Sequence, residues 1–212
     1  MSARVVVTDV ETTGLGRTDR VVEIACVTVD LDHGIIDEWS SLVNPMRDIS
    51  QGVTSIHGLD ATHVSAAPTF DEIEPLVTHS LQAGVVAGHN VAFDVRMLEH
   101  EYERLGTHIE IDGWCTMHAA SAIGAGGRTL ATCCDAIGLE MVPSHDALGD
   151  ARAAALLMLA ILERNPAMAA EIHELAALHK SVPYAGRGAL PRTYPRITAE
   201  SHRTDEYLRS LI

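Results

Sequence analysis

"VVVTDVETTG", residues 5–14, decides the reading of this 212-residue chain. Val5, Val6 and Val7 read as the start of a buried strand. Asp9 and Glu11 then sit one residue apart where that strand should still be running. Strand side chains at i and i+2 share a face, so both carboxylates stand on one side of the sheet. Like charges that close raise each other's pKa and cost stability. Something has to offset that cost.

Outward from this stretch, residues 4–9 are expected as a strand, 20–31 as a longer one rich in β-branched residues, and 34–45 as a third. The "DLDHG" between the last two is a hairpin signal. Residues 52–64 are polar and turn-rich and predict short helical turns. A helix is expected over 68–81, with Asp71 and Glu72 in its first turn and Pro75 tolerated early within it. "AGVVAGHN" (83–90) predicts a short strand, 92–106 an amphipathic helix closed by Gly106, and 111–121 contains a further strand. Helices follow over 129–139, 146–165 and 166–180. The second of these is apolar nearly all round and so should be deeply buried. Three meandering strands, then alternating helices and strands, predict an α/β fold: a mixed sheet with helices on both faces.

Residues 1–180 read as one domain, and 47% apolar content is enough for a sizeable core. From Ser181 onward, Pro183, Gly186, Gly188, Pro191 and Pro195 break any pattern, so 181–212 reads as a tail or linker. The N-terminus lacks the apolar run of a signal peptide. The most apolar segment, Ala153 to Leu162, is well short of the ~20 residues that span a bilayer. A cytoplasmic location without membrane association is expected. Cys26, Cys115, Cys133 and Cys134 form no C-x-x-C pair and read as buried free thiols.

Two later segments supply the missing partners of Asp9 and Glu11. "HNVAFD" (89–94) puts Asp94 in the first turn of a helix just after a strand. "SHDALGD" (144–150) puts His145 in a loop and Asp150 at the start of the apolar helix. Four carboxylates and a histidine therefore fall at strand ends and helix starts, where α/β folds build sites. Divalent cations resolve the repulsion, because hard Mg²⁺ or Mn²⁺ takes oxygen ligands. Two such ions, about 3.5–4 Å apart, stabilise the attacking and leaving oxygens of a phosphodiester. On the residues alone, Asp94, Asp146 and Asp150 are also readable as acids favoured by a helix dipole. His57 is readable as a turn residue, and Phe93 as plain core.

"DVETTG", "HNVAFD" and "HDALGD" together resemble the three motifs of the DEDDh 3′–5′ exonucleases. "GVTSIHGL" (52–59) is similar to a segment in members such as the epsilon proofreading subunit of bacterial DNA polymerase III. The resemblance covers roughly residues 4–165. It implies a ribonuclease H-like fold with a five-stranded mixed sheet, two Mg²⁺ or Mn²⁺ per site, and release of nucleoside 5′-monophosphates from DNA. By position, Asp9 would bridge both metals, with Glu11 and Asp150 completing the site that holds the attacking water. Asp94 would support the second metal through water, and His145 would be the general base. Imidazole suits that task near neutral pH. The resemblance also implies contacts to the 3′-terminal nucleotide from Thr12, Thr13 and Leu15, with Ile56, His57 and Phe93 lining the base pocket. Single-stranded DNA is the expected partner; RNA or short oligoribonucleotides are the alternative, as is a polymerase-associated adaptor that only keeps the fold.

Charge complicates nucleic-acid binding. The chain carries −14, with five arginines against three acids in 181–212, a net of +2 that leaves −16 on the rest. Local cations must then serve the substrate, and Arg17, Arg20, Arg96 and Arg128 lie near the motif loops. The tail's arginines, interleaved with Tyr184, Tyr194 and Tyr207, suit either a single strand or the docking of a polymerase or repair partner.

Overall fold

The computed structural model describes residues 3–140 and 145–178, so the tail expected over 181–212 lies outside the described residues. Strands β1 (Arg4–Thr12), β2 (Val21–Asp30) and β3 (Gly34–Leu42) form an antiparallel meander. β4 (Val85–Gly88) and β5 (Gly113–Cys115) add parallel strands beyond β1, in the order β3-β2-β1-β4-β5. This is the mixed five-stranded, ribonuclease H-like sheet. Helices α1 (Gln51–His57) and α2 (Ala61–Val64) are the short turns expected there, and α3 spans Phe70–Leu81 with Pro75 inside it.

The face of the sheet that carries Val5, Val7, Ala25 and Val27 is covered by α7 (Ala147–Arg164). That helix presents Ala147, Ala151, Ala154 and Ala155, whose small side chains let it lie close to the strands. The opposite face, with Val10 and Ile24, is covered by α3 and by α4 (Ala92–Arg104), through Phe70, Val77, Met97, Leu98 and Tyr102. α7 is apolar nearly all round because its far side is also covered. There α5 (Thr116–Ala122) and α6 (Leu130–Ile137) pack Ala120, Cys133 and Cys134 against Leu157 and Ile161. α8 (Pro166–Leu178) follows and buries Ile172.

The strand expected within 111–121 is present as the three residues of β5, and helix α5 begins directly after it at Thr116. One expectation needs correction: the first strand runs three residues further than position 9, because β2 pairs with it as far as Thr12. Cys26, Cys133 and Cys134 are buried free thiols as expected, whereas Cys115 is half-buried. Among the described residues no single helix is long and apolar enough to cross a membrane.

Candidate active site

Alternation along β1 decides where the first two acids point. Val5 and Val7 face α7, so Asp9 and Glu11 continue on that same face. They emerge at the end where α7 begins. Asp150, in the first turn of α7, reaches the same spot: oxygens of Asp9, Glu11 and Asp150 all lie within 4.8 Å of one another. Asp94 arrives from the other side of β1. β4 pairs with β1 only from Val5 to Val7, which leaves β1's edge open beyond that point. Asp94, in the first turn of α4, takes that edge: its Oδ1 accepts the Val10 N–H at 3.0 Å. Gly88 closes β4 where an added Cβ would lie 2.8 Å from the Thr8 carbonyl oxygen, so only glycine lets the strands run this close.

Electrostatics match this crowding. Burial, and then the charges of Asp94, Asp150, Glu11 and Glu23, hold the Asp9 carboxyl well above the usual carboxylate range. Burial followed by Glu23, Asp150 and Asp94 pushes Glu11 up to about 8. Burial pushes Asp94 up to about 8, against the stabilising Val10 N–H. Asp150 is raised by burial, and the nearby His145 opposes the shift. Hard divalent cations fit this donor set: it is all oxygen, convergent, and repulsive without a counter-charge. Asp9, Glu11 and Asp150 are the residues placed to hold one, while Asp94 stands outside their close group, engaged with the β1 backbone.

His145 is exposed and has φ of 45°, a left-handed conformation that costs a non-glycine residue about 1–2 kcal/mol. Such strain collects at functional sites. Immediately after it, Asp146 caps α7 by accepting the Gly149 N–H at 2.8 Å. Asp146 thus serves the helix, while Asp150 lies in the oxygen group with Asp9 and Glu11.

The expected nucleotide contacts divide into two groups. Leu15 and Ile56 are 77% and 64% exposed, so both apolar side chains are open to a ligand. Thr12, Thr13 and His57 are instead buried braces. Thr12 donates its hydroxyl to the Gly14 carbonyl, and Thr13 donates its own to Asp19. The Thr13 N–H goes to the Arg20 carbonyl at 2.8 Å, so it is not free for a 3′-hydroxyl. His57 Nδ1 accepts the Leu59 N–H, which leaves Nε2 to donate to the Thr12 carbonyl at 3.2 Å. That bond ties α1 to the end of β1 and brings Ile56 to the motif loop. Phe93 is half-buried, with the Arg96 guanidinium 5.5 Å from its ring centroid.

Arginine assignments also change. Arg20 bonds the buried Glu101 carboxylate at 2.8 Å and is committed to holding the 13–20 loop on α4, whereas Arg17 makes only an exposed pair with Glu103. Arg96 and Arg128 are exposed and make no ion pair among the described residues. Both are attached to the second motif: Arg96 follows Asp94 by two residues, and the Arg128 carbonyl accepts from His89 Nε2 at 3.3 Å.

One acid was missed from the sequence. Glu23 on β2 pairs directly with Glu11 and is 5% exposed. Burial pushes its carboxyl up to about 7, opposed by the Ala147 N–H that it accepts. Its signal, a lone Glu in "RVVEIACV", was visible, but only the strand register places it beside the site.

A protein-family model described as "Exonuclease" matches residues 6–158. The chain belongs to this exonuclease family. Similar proteins include the DNA polymerase III PolC-type of Caldanaerobacter subterraneus subsp. tengcongensis, 29% identical over 162 residues and 75% of this chain. The DNA polymerase III subunit epsilon-like protein of Rhodobacter capsulatus is 30% identical over 164 residues and 74% of this chain. The chain spans only 12% and 23% of the length of these two relatives. Among solved structures, exonuclease X in complex with 5′-overhanging duplex DNA is 25% identical with TM-score 0.65, covering 81% of this chain and 99% of that one. E. coli exonuclease I, solved with single-stranded DNA, shares the exonuclease fold at 18% identity and TM-score 0.69, over 84% of this chain and 45% of that one.

Proposed function

We propose that this protein is a metal-dependent 3′–5′ exonuclease that removes nucleoside 5′-monophosphates from single-stranded or 3′-terminal DNA. The observation that carries the reading is the convergence of Asp9, Glu11 and Asp150 within 4.8 Å in a chain of the exonuclease family. Retention of every expected acid speaks against an adaptor that keeps only the fold.

Asp9, Glu11 and Asp150 would hold Mg²⁺ or Mn²⁺, and Asp94 would support a second ion through water. The metal would supply positive charge to the scissile phosphate. His145, on its strained turn beside Asp150, takes the proton of the attacking water. Leu15 and Ile56 stack against the terminal base; Phe93 borders the same pocket, and Thr12, Thr13 and His57 brace it from beneath. Arg96 and Arg128 meet the phosphates upstream, which answers the charge problem locally. DNA rather than RNA is favoured by the exonuclease neighbours solved with DNA. A role beside a polymerase, in proofreading or repair, fits the polymerase-named relatives.

Release of mononucleotide from 3′-labelled DNA and RNA oligomers, with Mg²⁺, Mn²⁺ or EDTA, tests the reading. Metal-dependent release from DNA is expected. No release from either polymer with any metal would overturn it.

A further inference from the structure

We propose that Glu23 is a positioning residue. It pins the first turn of α7 to β2 at the level of Glu11, and so sets where Asp150 and His145 stand relative to Asp9 and Glu11. Glu23 lies opposite Glu11 in the β1–β2 register, on the face that carries both acids. Its Oε2 accepts the Ala147 N–H at 3.2 Å, a bond between residues 124 apart. Ala147 is fully buried, so without Glu23 its amide has no water to turn to.

Most of the remaining α7–sheet contact is apolar: Ala151, Ala154, Ala155 and Met158 against Val5, Val7, Ala25 and Val27. The other polar tie, Arg152 Nε to Glu38 on β3 at 2.7 Å, lies further along the helix than the catalytic turn. Apolar burial is non-directional and tolerates small slides. The Glu23 bond is directional, and it acts two residues after His145 and three before Asp150. A shift of the helix at this point would displace both at once. Glu23 stands outside the close oxygen group of Asp9, Glu11 and Asp150, and its Oε2 is taken by the Ala147 N–H. The positive end of α7 favours a carboxylate there.

The inference rests on the nuclease reading above, and the test separates the two. In the full chain, Glu23→Ala should lower kcat about 10–100-fold with KM unchanged, the size expected for an outer partner of a metal site. Glu23→Gln keeps a carbonyl acceptor and should retain most of kcat. Ala147→Pro removes the N–H at the first helical position, where proline is tolerated. The extended Asp146 backbone (φ −119°, ψ 143°) suits a residue before proline. This variant should reproduce the loss, and the double variant with Glu23→Ala should be no slower than the worse single one. Amide exchange at Ala147 should quicken in Glu23→Ala and stay slow in Glu23→Gln.

Wild-type kcat in Glu23→Ala would overturn the inference. So would equal losses in Gln and Ala, or multiplicative losses in the double variant. If the wild type cleaved no nucleic acid, the nuclease reading would fall, while amide exchange would still report on the pinning bond.

Discussion

Asp94 Oδ1 accepts the backbone N–H of Val10 at 3.0 Å, across 84 residues of sequence. The bond joins the start of α4 to the one stretch of β1 that outruns its parallel neighbour β4. It also holds Asp94 where its charge raises the pKa of Asp9. A single hydrogen bond thus brings the second motif to the first, and the predictions begin from the crowding it creates.

Removing the metal or its central ligand should stop the chemistry. We expect EDTA to abolish nucleotide release and Asp9→Ala to do the same at saturating Mn²⁺. The apo-protein should keep or gain thermal stability in this variant, because a repulsive buried charge is gone. Thermal melts alongside the release assay check both halves. Full activity in EDTA would exclude the metal site as the catalytic centre.

Stability without metal should fall as pH rises. Glu11 and Asp94 titrate near 8 in the folded protein and near 4 when unfolded. Between those values the folded state binds more protons than the unfolded one, so the slope of stability against pH is negative. The melting temperature should therefore drop between about pH 5 and pH 8, and Glu11→Gln should flatten the drop. Mn²⁺ should raise the melting temperature more at pH 8 than at pH 5. A melting temperature that climbs steadily from pH 5 to 8 in EDTA would contradict the raised pKa values.

His145→Ala should slow hydrolysis roughly 10²–10⁴-fold, the usual worth of a general base, and leave Mn²⁺ binding in place. The limb of the pH–rate profile that reports the base should vanish with it. Single-turnover rates as a function of pH, with Mn²⁺ titration by calorimetry, distinguish a lost base from a lost metal. Unchanged turnover would assign the proton transfer elsewhere.

Arg96→Ala and Arg128→Ala should each weaken binding of a long single strand and reduce the slope of log K against log salt by about 0.7, one phosphate contact apiece. Arg4→Ala is the control. It is equally exposed and makes no ion pair among the described residues, but it stands at the far end of β1. Equal effects from Arg4 and Arg96 would mean that net charge, not placement, governs binding.

Much of this protein was determined by short stretches of its sequence. Valine runs, helix-start acids and turn glycines act over a few residues, so they mark elements wherever the rest of the chain lies. Alternation alone put Asp9 and Glu11 on one face, and three six-residue motifs named the acids that join them. The strand expected within 111–121 is there at Gly113–Cys115, but local sequence left its end open, and a helix starts at Thr116. Tertiary structure decided the rest, since those outcomes depend on residues distant in sequence. The β1–β2 register turned Glu23 from an ordinary strand residue into a neighbour of Glu11. Glu101 claimed Arg20, which local charge reading had counted among the cations near the motif loops. His57 became a brace because Leu59 and Thr12 saturate both of its nitrogens. A side chain's chemistry is written in its residue type, but whether that chemistry is free to act depends on which partner the fold brings within about 3 Å.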